Sequence, residues 1–268
     1  MRRASTLLAS AAVLMSASLA SAASVAFDFA SNYVSPNPPW TNGSNGGFGF
    51  GAWQLTPSSN TGNAGFFLGN SAGNGSAPSG DINSAGVAFG LYANSGQTAS
   101  AVRPFTGGPL AIGQIFSMSM DNGFIDNNGV VGFGLQTAGG TNVFEFYFRG
   151  GTSNYIMNIG GTEVTTPIPF TDDGLAVVFK LLSPTTFSFT VTDLQTTTLY
   201  TLGGTFSTPA SIERLRLFNF NAGGGSQRDA YFNFLRITEA PPPPVEIPLP
   251  AASLMGMALL GGLVTRRR

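Results

Sequence analysis

Two residue types are missing from this chain: its 268 residues include no cysteine and no histidine. Without cysteine the fold stands on its core, with no disulfide and no thiolate metal site to help it. Without histidine there is no Ser-His-Asp triad and no imidazole metal site. Hard, oxygen-ligated ions such as calcium are left open. Charge is also scarce, at 9% of residues. Between positions 23 and 240 there are twelve acidic and seven basic residues. That balance repels a phosphate backbone, so nucleic acid is not an expected partner. A sustained helical period is absent from the body as well.

The N-terminus reads as a secretory signal peptide over 1–22. Arg2 and Arg3 supply the positive start, 7–19 is an uncharged apolar stretch, and Ala20-Ser21-Ala22-Ala23 offers a small-residue cleavage site after Ala22. The body, 23–239, is rich in turn formers, with most of the chain's 36 glycines. Between the turns, apolar residues recur at every second position. Val87, Phe89 and Leu91 share one face, with Ala88, Gly90, Tyr92 and Asn94 on the other. The same alternation runs through Phe116, Met118 and Met120, and through Val131, Phe133 and Leu135. It is strongest at Phe144, Phe146 and Phe148, and returns at Leu175, Val177, Phe179 and Leu181 and at Phe187, Phe189 and Val191. Period two places each set on one side of a strand, so the pattern predicts an all-β sandwich filled largely by phenylalanine. The stretch 40–79 is loop-rich, with short strands expected at 51–55 and 64–68.

After Thr238 the composition changes abruptly. The linker 240–246 holds four consecutive prolines, Pro241 to Pro244, which favour a stiff polyproline II spacer. The last segment, 247–268, begins Ile247-Pro248-Leu249-Pro250-Ala251, stays uncharged to Val264, and ends in Arg266, Arg267 and Arg268. It resembles the PEP-CTERM sorting signal in its VPLPA subtype, with Ile247 in place of the first valine. That resemblance implies a short transmembrane helix at 249–265, transient inner-membrane insertion, and recognition by an exosortase-type membrane protease. The protein would then reach the cell surface or the extracellular matrix. An ordinary single-span anchor is the plainer alternative.

The body has its own resemblance. The stretches Gly90-Leu-Tyr-Ala-Asn-Ser-Gly96, Met120-Asp-Asn-Gly123 and Phe144-Glu-Phe-Tyr-Phe-Arg-Gly-Gly151 are similar to ones in secreted proteins bearing such tails. The last strand, 230–238, looks like the closing strand of concanavalin A-like jelly rolls. This implies a lectin-like or glucanase-like β-sandwich. A sugar groove would draw on Trp40, Trp53, Tyr92, Asn94, Arg103, Tyr147, Arg149, Asn154 and Tyr155. The named candidates are Tyr92, Asn94, Tyr147, Arg149 and Glu145, because aromatic faces beside amides and charges suit sugars. Asp121 and Asp126, close together in one turn-rich stretch, are the calcium candidates, although turn chemistry accounts for them more cheaply.

These readings favour a non-enzymatic exported protein, of the cell surface or matrix, that contacts exopolysaccharide and needs no cofactor. Two alternatives stand beside it. One is a secreted glycan-active hydrolase with Glu145 as its carboxylate, a second carboxylate coming from Asp121 or Asp126. The other is a purely structural matrix protein.

Overall fold

A computed structural model describes residues 24–59, 61–75 and 81–239. The signal peptide, the span at 249–265 and the sorting motif from Ile247 to Arg268 lie outside the described residues. Among the described residues no helix is long and apolar enough to cross a membrane.

The chain begins with β1 (Ser24–Asp28), β2 (Gln54–Pro57), β3 (Ala64–Gly69), β4 (Ala88–Ala93) and β5 (Thr98–Pro104). Next come β6 (Ile115–Asn122), β7 (Val130–Gln136), β8 (Asn142–Arg149), β9 (Asn154–Ile159) and β10 (Thr162–Pro169). The last five are β11 (Leu175–Ser183), β12 (Thr186–Asp193), β13 (Leu199–Thr205), β14 (Arg214–Phe220) and β15 (Ala230–Thr238). They form two antiparallel sheets. The eight-stranded sheet has the order β13-β12-β11-β6-β15-β4-β3, with β1 also paired to β15. The seven-stranded sheet has the order β10-β9-β8-β7-β14-β5-β2. This is the all-β sandwich that the alternating pattern predicts, in the jelly-roll form that the resemblance implies, and all described residues belong to one compact unit.

The predicted inner faces meet between the sheets. On β8, Phe144 lies 5.1, 5.2 and 4.9 Å from the rings of Phe179, Phe187 and Phe189 on β11 and β12 of the opposite sheet. Each buried aromatic removes a large apolar area from water, at about 25 cal/mol per Å2. The phenylalanines therefore do the fastening that disulfides would do elsewhere.

The long segment after β1 is tied down by a buried ion pair. Arg103 on β5 contacts Asp28 on β1, and both side chains are fully buried. The hydroxyl of Tyr33 donates to Asp28 (2.8 Å) and accepts from Trp53 Nε1 (2.9 Å) and Arg103 (2.6 Å). Trp40, Trp53 and Tyr33 then pack around Phe89 in tilted and edge-on contacts. This corrects part of the sugar-groove expectation, because Trp40, Trp53, Arg103, Tyr155 and the named candidate Tyr147 are all buried. For Arg103 the reason is electrostatic. Asp28 inside the sandwich needs a cation beside it, since an unpaired buried charge is strongly destabilising.

Candidate functional site

The outer face of the seven-stranded sheet can be reconstructed from its register. One cross-strand row runs Arg216, Gly134, Glu145, Asn158 and Glu163, over β14, β7, β8, β9 and β10. The next runs Phe218, Gly132, Tyr147, Ile156 and Thr165. Flanking rows contribute Arg214 beside Gln136, and Phe220 beside Val130 and Arg149. Residues across a ladder point to the same side, so these side chains share one surface.

Glycine shapes the middle of that surface. A Cβ at Gly132 would lie 2.5 Å from Tyr147 Cβ, and one at Gly134 would lie 3.2 Å from Glu145 Cγ. With both positions bare, side chains of β8 and β14 lean toward each other across β7. Tyr147 and Phe218 come within 6.3 Å and pack with Ile156 into a small apolar cluster.

Two polar assemblies flank this cluster. In the first, Arg149 grips Glu163 with both terminal nitrogens, at 2.5 and 3.1 Å, while Tyr147 Oη donates to the same carboxylate at 2.6 Å. The guanidinium holds the Glu163 carboxyl below its usual range, with help from Tyr147. Burial pushes the Tyr147 hydroxyl up, and Glu163 reinforces the shift. In the second assembly, Glu145 accepts from Asn142 (2.7 Å) and from Asn158 (2.9 Å). Gln136 donates to Asn142 (2.5 Å) and accepts from Arg214 Nε (2.9 Å). Glu145 is 8% exposed. Burial lifts its carboxyl above the usual range, and Arg216 pulls against that shift.

The structure brings Glu145, Tyr147 and Arg149 together on this face. It places Tyr92 on the outer side of β4, opposite Gly65 in the other sheet. Asn94, just past β4, donates to Asn63 at 3.2 Å. The five sugar-site candidates are therefore split between the two outer sides of the sandwich. Asp121 accepts from Asn74 at 2.6 Å, whereas Asp126 pairs with Arg228 at 2.7 Å. Among the described residues no group of three or more acidic side chains is arranged to hold a metal ion. Gln136, Asn142, Asn158, Glu163, Arg214 and Arg216 complete the face and were not among the sequence candidates. Their only advance signal is compositional, since Arg149, Arg214 and Arg216 are three of the seven bases in a body poor in charge.

No protein-family model and no curated protein matches this chain. Solved structures share its architecture at low identity. The galectin LEC-6 of Caenorhabditis elegans matches at 12% identity over 51% of this chain and 88% of its own, with a TM-score of 0.35. The carbohydrate esterase vb_24B_21 of the Shiga toxin-encoding bacteriophage phi24B matches at 13% identity over 70% of this chain and 89% of its own, TM-score 0.44. The catalytic domain of a glycoside hydrolase family 131 protein from Coprinopsis cinerea matches at 17% identity over 70% and 84%, TM-score 0.42. These structures include a carbohydrate esterase and a glycoside hydrolase catalytic domain beside a galectin, which corrects the expectation of a non-enzymatic protein and leaves catalysis open.

Proposed function

We propose that this chain is an exported surface or matrix protein that binds extracellular polysaccharide on the outer face of its seven-stranded sheet. The carrying observation is the amide and carboxylate network through Asn142, Glu145 and Asn158, in which both asparagines are half-buried, with the half-buried ring of Phe220 set over the buried Tyr147 and Phe218. Sugars present hydroxyls that both donate and accept, and apolar C–H faces that pack on rings. A surface with fixed amides next to aromatics serves both. Export would follow from the signal peptide at 1–22, and surface delivery from exosortase processing of the tail at 247–268.

A glycan array probed with the full chain, purified after export, tests the binding. Retention of a polysaccharide, weakened about tenfold in Asn158→Ala, is the expected result, because one network hydrogen bond is lost. No retention across neutral and acidic glycans would overturn the reading and leave the structural matrix role.

One observation favours a second reading, a glycan-active hydrolase. Glu145 and Glu163 share a row, and their environments push the two carboxyls in opposite directions. Such a division is what an acid and an ionised partner need. Release of reducing ends from a bound polysaccharide, lost in Glu145→Gln, would establish it. Asp121 and Asp126 are not the second carboxylate of that scheme, since neither is on this face.

A further inference from the structure

Two guanidiniums on the sheet face are left over once its internal pairs are assigned. Arg214 and Arg216 are alternate residues of β14 and project to the same outer side. At strand spacing, their backbone positions are about 7 Å apart. The ion pairs among the described residues are Arg103 with Asp28, Arg149 with Glu163, and Arg228 with Asp126. Neither Arg214 nor Arg216 takes part in any of them.

Both side chains are nonetheless held in place. The Arg216 guanidinium lies over the Phe218 and Phe220 rings, at 5.0 and 4.8 Å from their centroids. Those rings displace water from one side of the cation. Burial lowers its proton affinity, Glu145 opposes the shift, and the like charge of Arg214 adds to it. Arg214 is fixed through Nε on Gln136, and its Cζ would sit 3.2 Å from a Cβ at position 140, where glycine with φ +92 leaves the space free. The charged groups around the pair are Glu145 from β8, and Glu163 beyond it, already gripped by Arg149. Two cations against the single carboxylate of Glu145 leave this patch positive, in a body where acids outnumber bases twelve to seven.

We infer that Arg214 and Arg216 form an anion subsite of the polysaccharide face, and that the ligand is an acidic polysaccharide presenting uronate carboxylates. A guanidinium fork matches the two oxygens of a planar carboxylate, and two forks side by side suit an anion recurring along a chain. The half-buried amides of Asn142 and Asn158 continue the surface toward the sugar hydroxyls. Partial desolvation over Phe218 and Phe220 makes each charged contact stronger than it would be in water. This inference rests on the polysaccharide-binding reading above.

Calorimetric titration of the full exported chain with polygalacturonate, and with its fully methyl-esterified form, provides the test. The two polymers share a sugar backbone and differ in charge. Tighter binding of the acid form, weakening as salt rises, is expected. The double variant Arg214→Gln/Arg216→Gln should lose about tenfold or more in affinity for the acid form and keep its weak affinity for the ester. Arg216→Lys, which keeps the charge over the rings, should retain the salt dependence with reduced affinity, which separates lost recognition from misfolding. Equal binding of acid and ester, or an unchanged double variant, would overturn the inference while the polysaccharide-binding reading stands. Silence toward both polymers and toward the whole glycan array would overturn that reading, and the arginine subsite with it.

Discussion

At Asp121, a single carboxylate carries a pH dependence that the fold imposes. The residue is 2% exposed, and its Oδ2 has no hydrogen-bond partner. Burial pushes its pKa from 3.8 up to about 7, against the hydrogen bonds of Asn74 and Ser71. Asp229 is pushed up to about 7 by burial alone. An acid whose pKa is higher in the folded state holds a proton that the unfolded chain releases. Its contribution to stability is fully present below 3.8 and is lost as pH rises through about 7. Thermal midpoints should therefore fall between about pH 4 and about pH 8. Asp121→Asn keeps an acceptor oxygen for Asn74 but cannot ionise, so it should remove part of that fall. An identical pH profile in the variant and the parent chain would show that the burial of Asp121 does not govern it.

At the scale of the strand, β8 divides its work between two faces. Phe144, Phe146 and Phe148 point into the sandwich, and Glu145, Tyr147 and Arg149 point outward. Truncating each face should give opposite results. Phe144→Ala empties the middle of a phenylalanine cluster and should cost about 3–5 kcal/mol in denaturant unfolding. Arg149→Ala breaks an ion pair whose side chains are 33% and 46% exposed, so it should cost less than about 1 kcal/mol. The same arginine variant should still lower polysaccharide retention, which dissociates binding from stability. A loss of several kcal/mol in Arg149→Ala would make the outer network a structural element instead.

The strands legible in advance were those with clean period-two alternation, because only there does one face bury while the other stays polar. β4, β6, β7, β8, β11 and β12 show it, and their inner faces lie where the alternation places them. β14 hides its nature, since Phe218 and Phe220 are apolar residues on the outer side and blur the period. β10 carries Pro167 and Pro169 and borders the sheet, so it resembles a loop. The site was legible to the same extent. Glu145, Tyr147 and Arg149 ride on the best-patterned strand. Arg214, Arg216, Asn158 and Glu163 reach them only through long-range strand order, which no local pattern encodes. Trp53 and Arg103 have surface chemistry, and both are held inside by the network of Asp28 and Tyr33, far from Arg103 in sequence.

For the whole molecule, the proposed polysaccharide binding raises the question of how such a protein would arrive where polysaccharide is. The tail offers an answer with a physical limit built in. The uncharged stretch 251–264 would measure about 21 Å as a helix, short of the roughly 30 Å hydrocarbon core of a bilayer. Gly256, Gly261 and Gly262 weaken it further as a helix. On the proposed sorting reading, snorkelling by Arg266, Arg267 and Arg268 would extend its reach enough for insertion, and those charges would stay on the cytoplasmic side. Such a segment suits transient residence better than permanent anchorage. Mass spectrometry of the protein recovered from the cell surface should therefore find a C-terminus near Pro248-Leu249-Pro250-Ala251, with the arginines gone. Replacing those four residues should leave the chain in the inner-membrane fraction with Arg268 attached. Intact Arg268 on surface-exposed protein would mean that the tail anchors and is not removed, and that exosortase processing plays no part in its delivery.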